Sequence, residues 1–182
     1  MKALGIGIIG AGYWGKNLIR VFSALPEADI RWVADLDEKQ LSRVTQGYPH
    51  IAVGGDFEAV LADPAVEAVL IATPVSTHYP LAKAALNAGK HVWVEKPMTK
   101  TRAEADELTA LAKEKGKCLI VDHTFLYTPA VRKIKEIVQS GELGDVHYLD
   151  SERINLGLIQ SDVNVIYDLA AHDVSIFNYL LD

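Results

Sequence analysis

The sequence predicts an α/β protein: a doubly wound parallel sheet, followed by an incomplete α+β second domain. Three observations carry this. Short apolar β-type runs alternate with helical patterns up to Val121. Several runs, such as Ala68 to Ala72, are apolar throughout, as strands covered on both faces must be. A glycine-rich turn joins the first strand to the first helix. After Val121 the rhythm changes, so residues 1–122 are assigned to the first domain and 123–182 to the second.

Leu4 to Ile9 is predicted as the first strand. Tyr13 to Leu25 follows as a helix, with Leu18, Val21, Phe22 and Leu25 on one face and Pro26 ending it. Ile30 to Ala34 is a strand and Glu38 to Gln46 a helix; Ile51 to Val53 and Asp56 to Leu61 repeat the pair. Asp63-Pro64 turns the chain into the strand Ala68 to Ala72. Thr77 to Ala88 is a helix stopped by Gly89. The strand His91 to Val94, the helix Thr101 to Lys115 and the strand Lys117 to Val121 complete the first domain. Beyond it, Pro129 to Ser140 reads as an amphipathic helix, with Val131, Ile134, Ile137 and Val138 as its apolar set. Val146 to Ile154 reads as a strand with one wet face, Ser161 to Asn164 as a polar connection, and Val165 to Leu181 as a helix.

Composition narrows the function classes. The 182 residues are 49% hydrophobic and 23% charged, an ordinary globular balance. A net charge of −6 without a basic stripe argues against a nucleic-acid partner. The single cysteine, Cys118, excludes an internal disulfide and fits the cytoplasm; within Cys118 to Val121 it reads as a buried small hydrophobe. No apolar run approaches the ~18 residues of a membrane span, and the N-terminus lacks a signal-peptide pattern. No metal-ligand cluster is visible, so no metal is expected.

The run "GIGIIGAGYWGKN" contains Gly10-x-Gly12-x-x-Gly15. It follows a strand and opens a helix, the context in which this pattern binds a dinucleotide in a Rossmann domain. Gly10 permits the tight turn, Gly12 lets backbone approach a pyrophosphate, and Gly15 lets helix and strand pack closely. The helix N-terminus offers N–H groups and positive partial charge to phosphate. Asp35 ends the second strand, 20 positions beyond Gly15 (35 − 15), where an acid accepts from the adenosine ribose hydroxyls. A carboxylate there repels a 2′-phosphate, so NAD is favoured over NADP. Asp37 reads as the cap of the next helix.

Together with "IATPVSTHYPLAKAALNAGKHVWVEKP" and "NVIYDLAAHDVSIFNYLL", this loop makes the chain resemble the glucose–fructose oxidoreductase / inositol dehydrogenase / MocA (Gfo/Idh/MocA) family. Within that family, the segment from His123 to Gly157 looks most similar to UDP-N-acetyl-sugar 3-dehydrogenases. The resemblance implies NAD-dependent oxidation of a secondary alcohol of a sugar or nucleotide-sugar, in a cytoplasmic homo-oligomer. It implies that Lys96 of Glu95-Lys96-Pro97 stands near the nicotinamide, and that Asp168 and His172 of Asp-x-x-x-His face the same place. It sets Tyr13, Trp14, Thr73, Pro74, His78 and Glu95 along the cofactor. Glu95 is taken to pair with a nearby cation or to help fix its turn, not to catalyse.

The chemistry suits those residues. Oxidation of a carbinol needs a base for the hydroxyl proton, and a histidine titrates near neutrality. Asp168 and His172, at i and i+4, share a helical face. Lys96 suits stabilisation of the developing alkoxide, and equally suits the base. The assignment adopted is His172 as base and Lys96 as electrostatic stabiliser, with Asp168 orienting His172 or meeting the sugar directly. Pro97 restricts Lys96 to extended backbone and invites a cis bond. His123, Arg153 and Asn155 are secondary candidates for substrate contact. Family members carry a larger second domain, so the chain is expected to be an N-terminal fragment that binds NAD and turns over substrate weakly or not at all. The alternatives are a non-catalytic NAD-binding module and an inositol, aldose or dihydrodiol dehydrogenase of the same family.

Overall fold

A computed structural model describes residues 2–154 and 163–182. The chain divides into two compact units, Met1–Val121 and Asp122–Asp182.

The first unit carries six strands: β1 Leu4–Ile9, β2 Ala28–Ala34, β3 Ala52–Gly54, β4 Ala68–Ile71, β5 His91–Val94 and β6 Leu119–Val121. They form one parallel sheet in the order β3-β2-β1-β4-β5-β6. Between them run α1 Gly15–Ser23, α2 Glu38–Gly47, α3 Phe57–Ala62, α4 Val75–Asn87 and α5 Arg102–Lys115. The expected doubly wound fold is therefore present, and the order reverses between β1 and β4.

Both faces of the central strands are buried. Along β4, Val69 and Ile71 join a core with Val60 of α3, Ala82, Ala85 and Leu86 of α4, and Leu108 and Ala112 of α5. Leu70 faces the opposite core, with Leu18 and Ile19 of α1 and Val44 of α2. Period-2 alternation with apolar residues on both sides is why β4 reads as a continuous apolar run.

Helix boundaries follow local chemistry. Asp37 and Asp56 cap α2 and α3 by accepting from the N–H groups of Lys39 and Glu58. Thr101 and Glu104 form a reciprocal capping box on α5, and Gly116 ends that helix at φ +62°.

Two sequence expectations in this unit are corrected. In α1 the buried residues are Gly15, Leu18 and Ile19, while Val21 and Leu25 are exposed. The glycine at the helix start rotates the packed face towards itself. Cys118 is exposed. It precedes β6, the edge strand, and its backbone N–H donates to His91 Nδ1 at 3.0 Å.

The second unit contains a 3₁₀ turn at Thr124–Tyr127, α6 Pro129–Gln139, a π turn at Ile166–Ala170 and α7 Ala171–Leu181. The π turn and α7 occupy the segment expected as one helix, and Asn164 caps it by accepting from the Tyr167 N–H. The expected strand at 146–154 is not formed: its residues carry no ladder, and all six strands of the described residues belong to the first unit's sheet. Alternation supplies a face, but a strand also needs a paired neighbour. Of the predicted polar connection, Ser161 and Asp162 lie outside the described residues, as does Asn155.

Helix α5 offers a graded stability test. Leu108 is fully buried, so Leu108→Ala is expected to cost about 2–5 kcal/mol. Thr101→Ala removes one cap and is expected to cost ~1 kcal/mol. Urea unfolding followed by tryptophan fluorescence measures both; equal losses would contradict this ordering.

Candidate functional site

The site is built where β1 and β4 part company. In an open parallel sheet, ligands sit outside the carboxyl ends of the strands at this reversal. A cleft of about 570 Å³ opens there, bounded by Gly10 and Gly12 of the glycine loop, Asp35 after β2, and Thr73, Pro74 and Thr77 after β4.

The three glycines are required for different reasons. Gly10 has φ +95°, and a Cβ there would lie 2.6 Å from the Ala72 carbonyl oxygen. At Gly15 a Cβ would lie 1.9 Å from the Gly10 carbonyl oxygen, so α1 packs backbone-to-backbone on the turn. At Gly12 a Cβ would meet nothing within 4 Å. The open space beside Gly12 suits the close approach of a pyrophosphate to backbone, which a side chain would block. No acidic residue occupies the first turn of α1, so nothing there opposes an anion.

Asp35 serves the loop as well as the cleft. Its Oδ2 accepts from the Ala11 N–H at 2.6 Å, and its Oδ1 accepts from the Asp37 N–H at 2.8 Å. Each carboxylate oxygen has two lone pairs, so acceptor capacity remains for ribose hydroxyls. The donor set, the open cradle and the cleft therefore fit a bound NAD. Tyr13 and Trp14 are exposed, their rings edge-to-face at 5.7 Å, and Lys16 Nζ lies 5.1 Å over the Tyr13 ring.

Sequence reasoning missed Leu36, Phe57, Thr77 and Leu81, which also line the cleft. Leu36 is 92% exposed, directly after Asp35. An apolar residue directly after Asp35 was the signal in the sequence for an apolar wall of the cleft. Thr77 Oγ1 lies 2.7 Å from both the Pro74 carbonyl oxygen, to which it donates, and Thr73 Oγ1, whose hydroxyl can donate back to it, and so stiffens the turn.

The remaining first-unit residues lie around the turns after β4 and β5. His78 is 1% exposed, with its ring between the carbonyls of Thr73 and Pro97. Glu95 is 8% exposed at the end of β5, and Lys96 beside it is half-buried. The Lys96–Pro97 bond is cis.

In the second unit, Asp168 belongs to the π turn and His172 to the first turn of α7. The Phe125 ring meets the His172 ring edge-on at 4.7 Å. Arg153 places its guanidinium 5.3 Å over the Phe125 ring and donates from Nε to both oxygens of Asp173, at 3.1 and 2.8 Å. Ser151 adds a third hydrogen bond to Asp173. The Arg153 guanidinium, followed by burial working the other way and then Ser151, leaves the Asp173 carboxyl below its usual range. Arg153, a candidate for substrate contact, is thus committed to Asp173 through Nε. Burial holds the His123 imidazole below its ordinary value of 6.5, with Asp122 opposing in part. Among the described residues, no group of three or more His, Cys, Asp or Glu is gathered as a metal would need. No helix among them is long and apolar enough to cross a membrane.

Residues 4–123 match the family described as "Oxidoreductase family, NAD-binding Rossmann fold" (Gfo/Idh/MocA), and the chain belongs to that family. It is 29% identical to the oxidoreductase YrbE of Bacillus subtilis over 99% of this chain and 54% of the relative. It is 32% identical to the UDP-N-acetylglucosamine 3-dehydrogenase of Acidithiobacillus ferrooxidans over 93% of this chain and 52% of the relative. The crystal structure of GenD2, from gentamicin A biosynthesis, in complex with NAD superposes with a TM-score of 0.87 at 28% identity, covering 100% of this chain and 54% of that one. The chain spans about half the length of these relatives.

Two outcomes follow from the geometry. Gly12→Val fills open space at an ordinary backbone φ, so it is expected to leave the urea midpoint within about 0.5 kcal/mol of wild type. NAD affinity is expected to fall at least ~10-fold, read by calorimetry. For His123, the unfolded chain takes up a proton below pH 6.5 while the folded imidazole resists. Its contribution to stability is therefore full above pH 6.5 and is lost as pH falls through the depressed folded value. The stability difference between wild type and His123→Gln should be flat above pH 6.5 and change below it; a flat difference down to pH 5 contradicts the assignment.

Proposed function

We propose that this chain binds NAD and serves the oxidation of a secondary alcohol on a sugar or nucleotide-sugar. The observation that carries the reading is the Asp35 carboxylate standing in the cleft beside an open glycine cradle, bonded to the loop's own backbone. A carboxylate there accepts from ribose hydroxyls and opposes a 2′-phosphate, which supports NAD over NADP. The sugar class is supported by the name of the UDP-N-acetylglucosamine 3-dehydrogenase relative.

In this reading Gly10, Gly12, Gly15, Tyr13 and Trp14 form the phosphate end of the cofactor site, and Thr73 and Pro74 shape its floor. Bound nicotinamide supplies the hydride acceptor. Lys96 stabilises negative charge on the substrate carbinol oxygen. His172 removes the hydroxyl proton, and Asp168 orients it or the sugar. The protein works as a homo-oligomer in the cytoplasm. A second reading is an NAD-binding module without turnover, favoured by the family match lying on residues 4–123, the dinucleotide-binding unit.

Lys96 separates the two. With UDP-N-acetylglucosamine and a panel of inositols and aldoses, followed by NADH fluorescence, Lys96→Ala is expected to lower turnover at least ~100-fold. NAD affinity should change less than ~3-fold, because the residues lining the cleft are untouched. Absence of turnover by wild type supports the second reading. NADP is expected to bind at least ~10-fold more weakly than NAD. Equal affinity would overturn the role given to Asp35.

A further inference from the structure

Below the cleft, one buried ring joins two turns that are distant in sequence. His78 lies in the first half of α4 and is 1% exposed. Its Nε2 is 2.8 Å from the carbonyl oxygen of Thr73, which follows β4. Its Nδ1 is 2.9 Å from the carbonyl oxygen of Pro97, which follows β5. The first carbonyl belongs to a cleft-lining residue. The second belongs to the residue next to Lys96.

Both partners are carbonyl oxygens, which only accept. Each contact is a hydrogen bond only when the ring nitrogen facing it carries a hydrogen. A neutral imidazole has one N–H, and its other nitrogen would turn a lone pair towards a lone pair. The ring that satisfies both carbonyls is the imidazolium. Charge-assisted donation to two oxygens offsets the cost of holding that charge out of water. Such a ring is a rigid spacer with a donor at each end. A cofactor contact, expected from the sequence, would need the ring at the cleft surface, where it is not.

We propose that His78 is a positioning residue: donating from both ring nitrogens, it ties the turn after β4 to the turn after β5 and so sets where Lys96 stands. This rests on the reading that Lys96 works beside the nicotinamide. His78 itself touches neither cofactor nor substrate.

The test uses the full chain. With ¹⁵N-labelled histidine, the His78 signals are identified by their loss in His78→Phe. Both ring nitrogens should give protonated-type shifts under the conditions of NAD binding; one bare nitrogen overturns the proposal. Lysines are labelled by reductive ¹³C-methylation, and the Lys96 signal is assigned with Lys96→Arg. His78→Phe keeps an aromatic ring and removes both donors, and should displace the Lys96 signal in the absence of NAD while leaving distant lysine signals in place. His78→Gln offers one donor nitrogen and covers the case in which the Phe variant does not fold; it should displace the signal too. A Lys96 signal unmoved in the folded variant overturns the proposal. Failure of the underlying reading shows separately, as a wild-type Lys96 signal that does not respond to NAD.

Discussion

The first unit depends on the contact between Gly15 and the Gly10 carbonyl. A methyl group at position 15 would lie 1.9 Å from that oxygen, and one at position 10 would lie 2.6 Å from the Ala72 oxygen. The end of β1, the start of α1 and the end of β4 therefore meet as bare backbone. A side chain at either glycine would push the helix away from the sheet edge. The N-terminal N–H groups of α1 would then leave the reversal point between β1 and β4. The bond from Ala11 N–H to Asp35, at 2.6 Å, would stretch with them. The cleft exists because this approach is closer than any side chain allows.

Around that contact, polar side chains are spent on backbone. Asp35 holds two N–H groups, Thr77 holds the turn after β4, and His78 faces two carbonyls. Loops that carry function are otherwise the mobile parts of a fold. Bonds of this kind make them extensions of the sheet, and a site held to within fractions of an ångström needs such support. In the second unit the anchoring is side chain to side chain: Asp173 gathers Arg153 and Ser151, and the Phe125 ring meets both the Arg153 guanidinium and the His172 ring.

Much of this was legible in the sequence, for reasons that differ by element. The strand His91–Val94 was read with its observed ends, because a buried strand flanked by turn residues is a local pattern. The capping residue Asp37 was equally local. The segment 146–154 was misread because alternation reports a face and not a partner. Cys118 was misread because an apolar neighbourhood in sequence does not reveal that β6 is an edge strand. Val21 and Leu25 were misread because the apolar stripe of α1 is wide, and only the close packing at Gly15 selects which side is buried.

By itself the sequence determined the alternation of elements, the dinucleotide loop and the acid that follows β2. Those features are written in the backbone freedom of glycine and in hydrophobic period, which act over a few residues. Tertiary structure alone decided how Asp35 divides its two oxygens and that the His78 ring is buried between the carbonyls of Thr73 and Pro97. These outcomes rest on hydrogen bonds between residues 24 and 19 positions apart. No local pattern sets such distances; the packing of α1 and α4 on the sheet does.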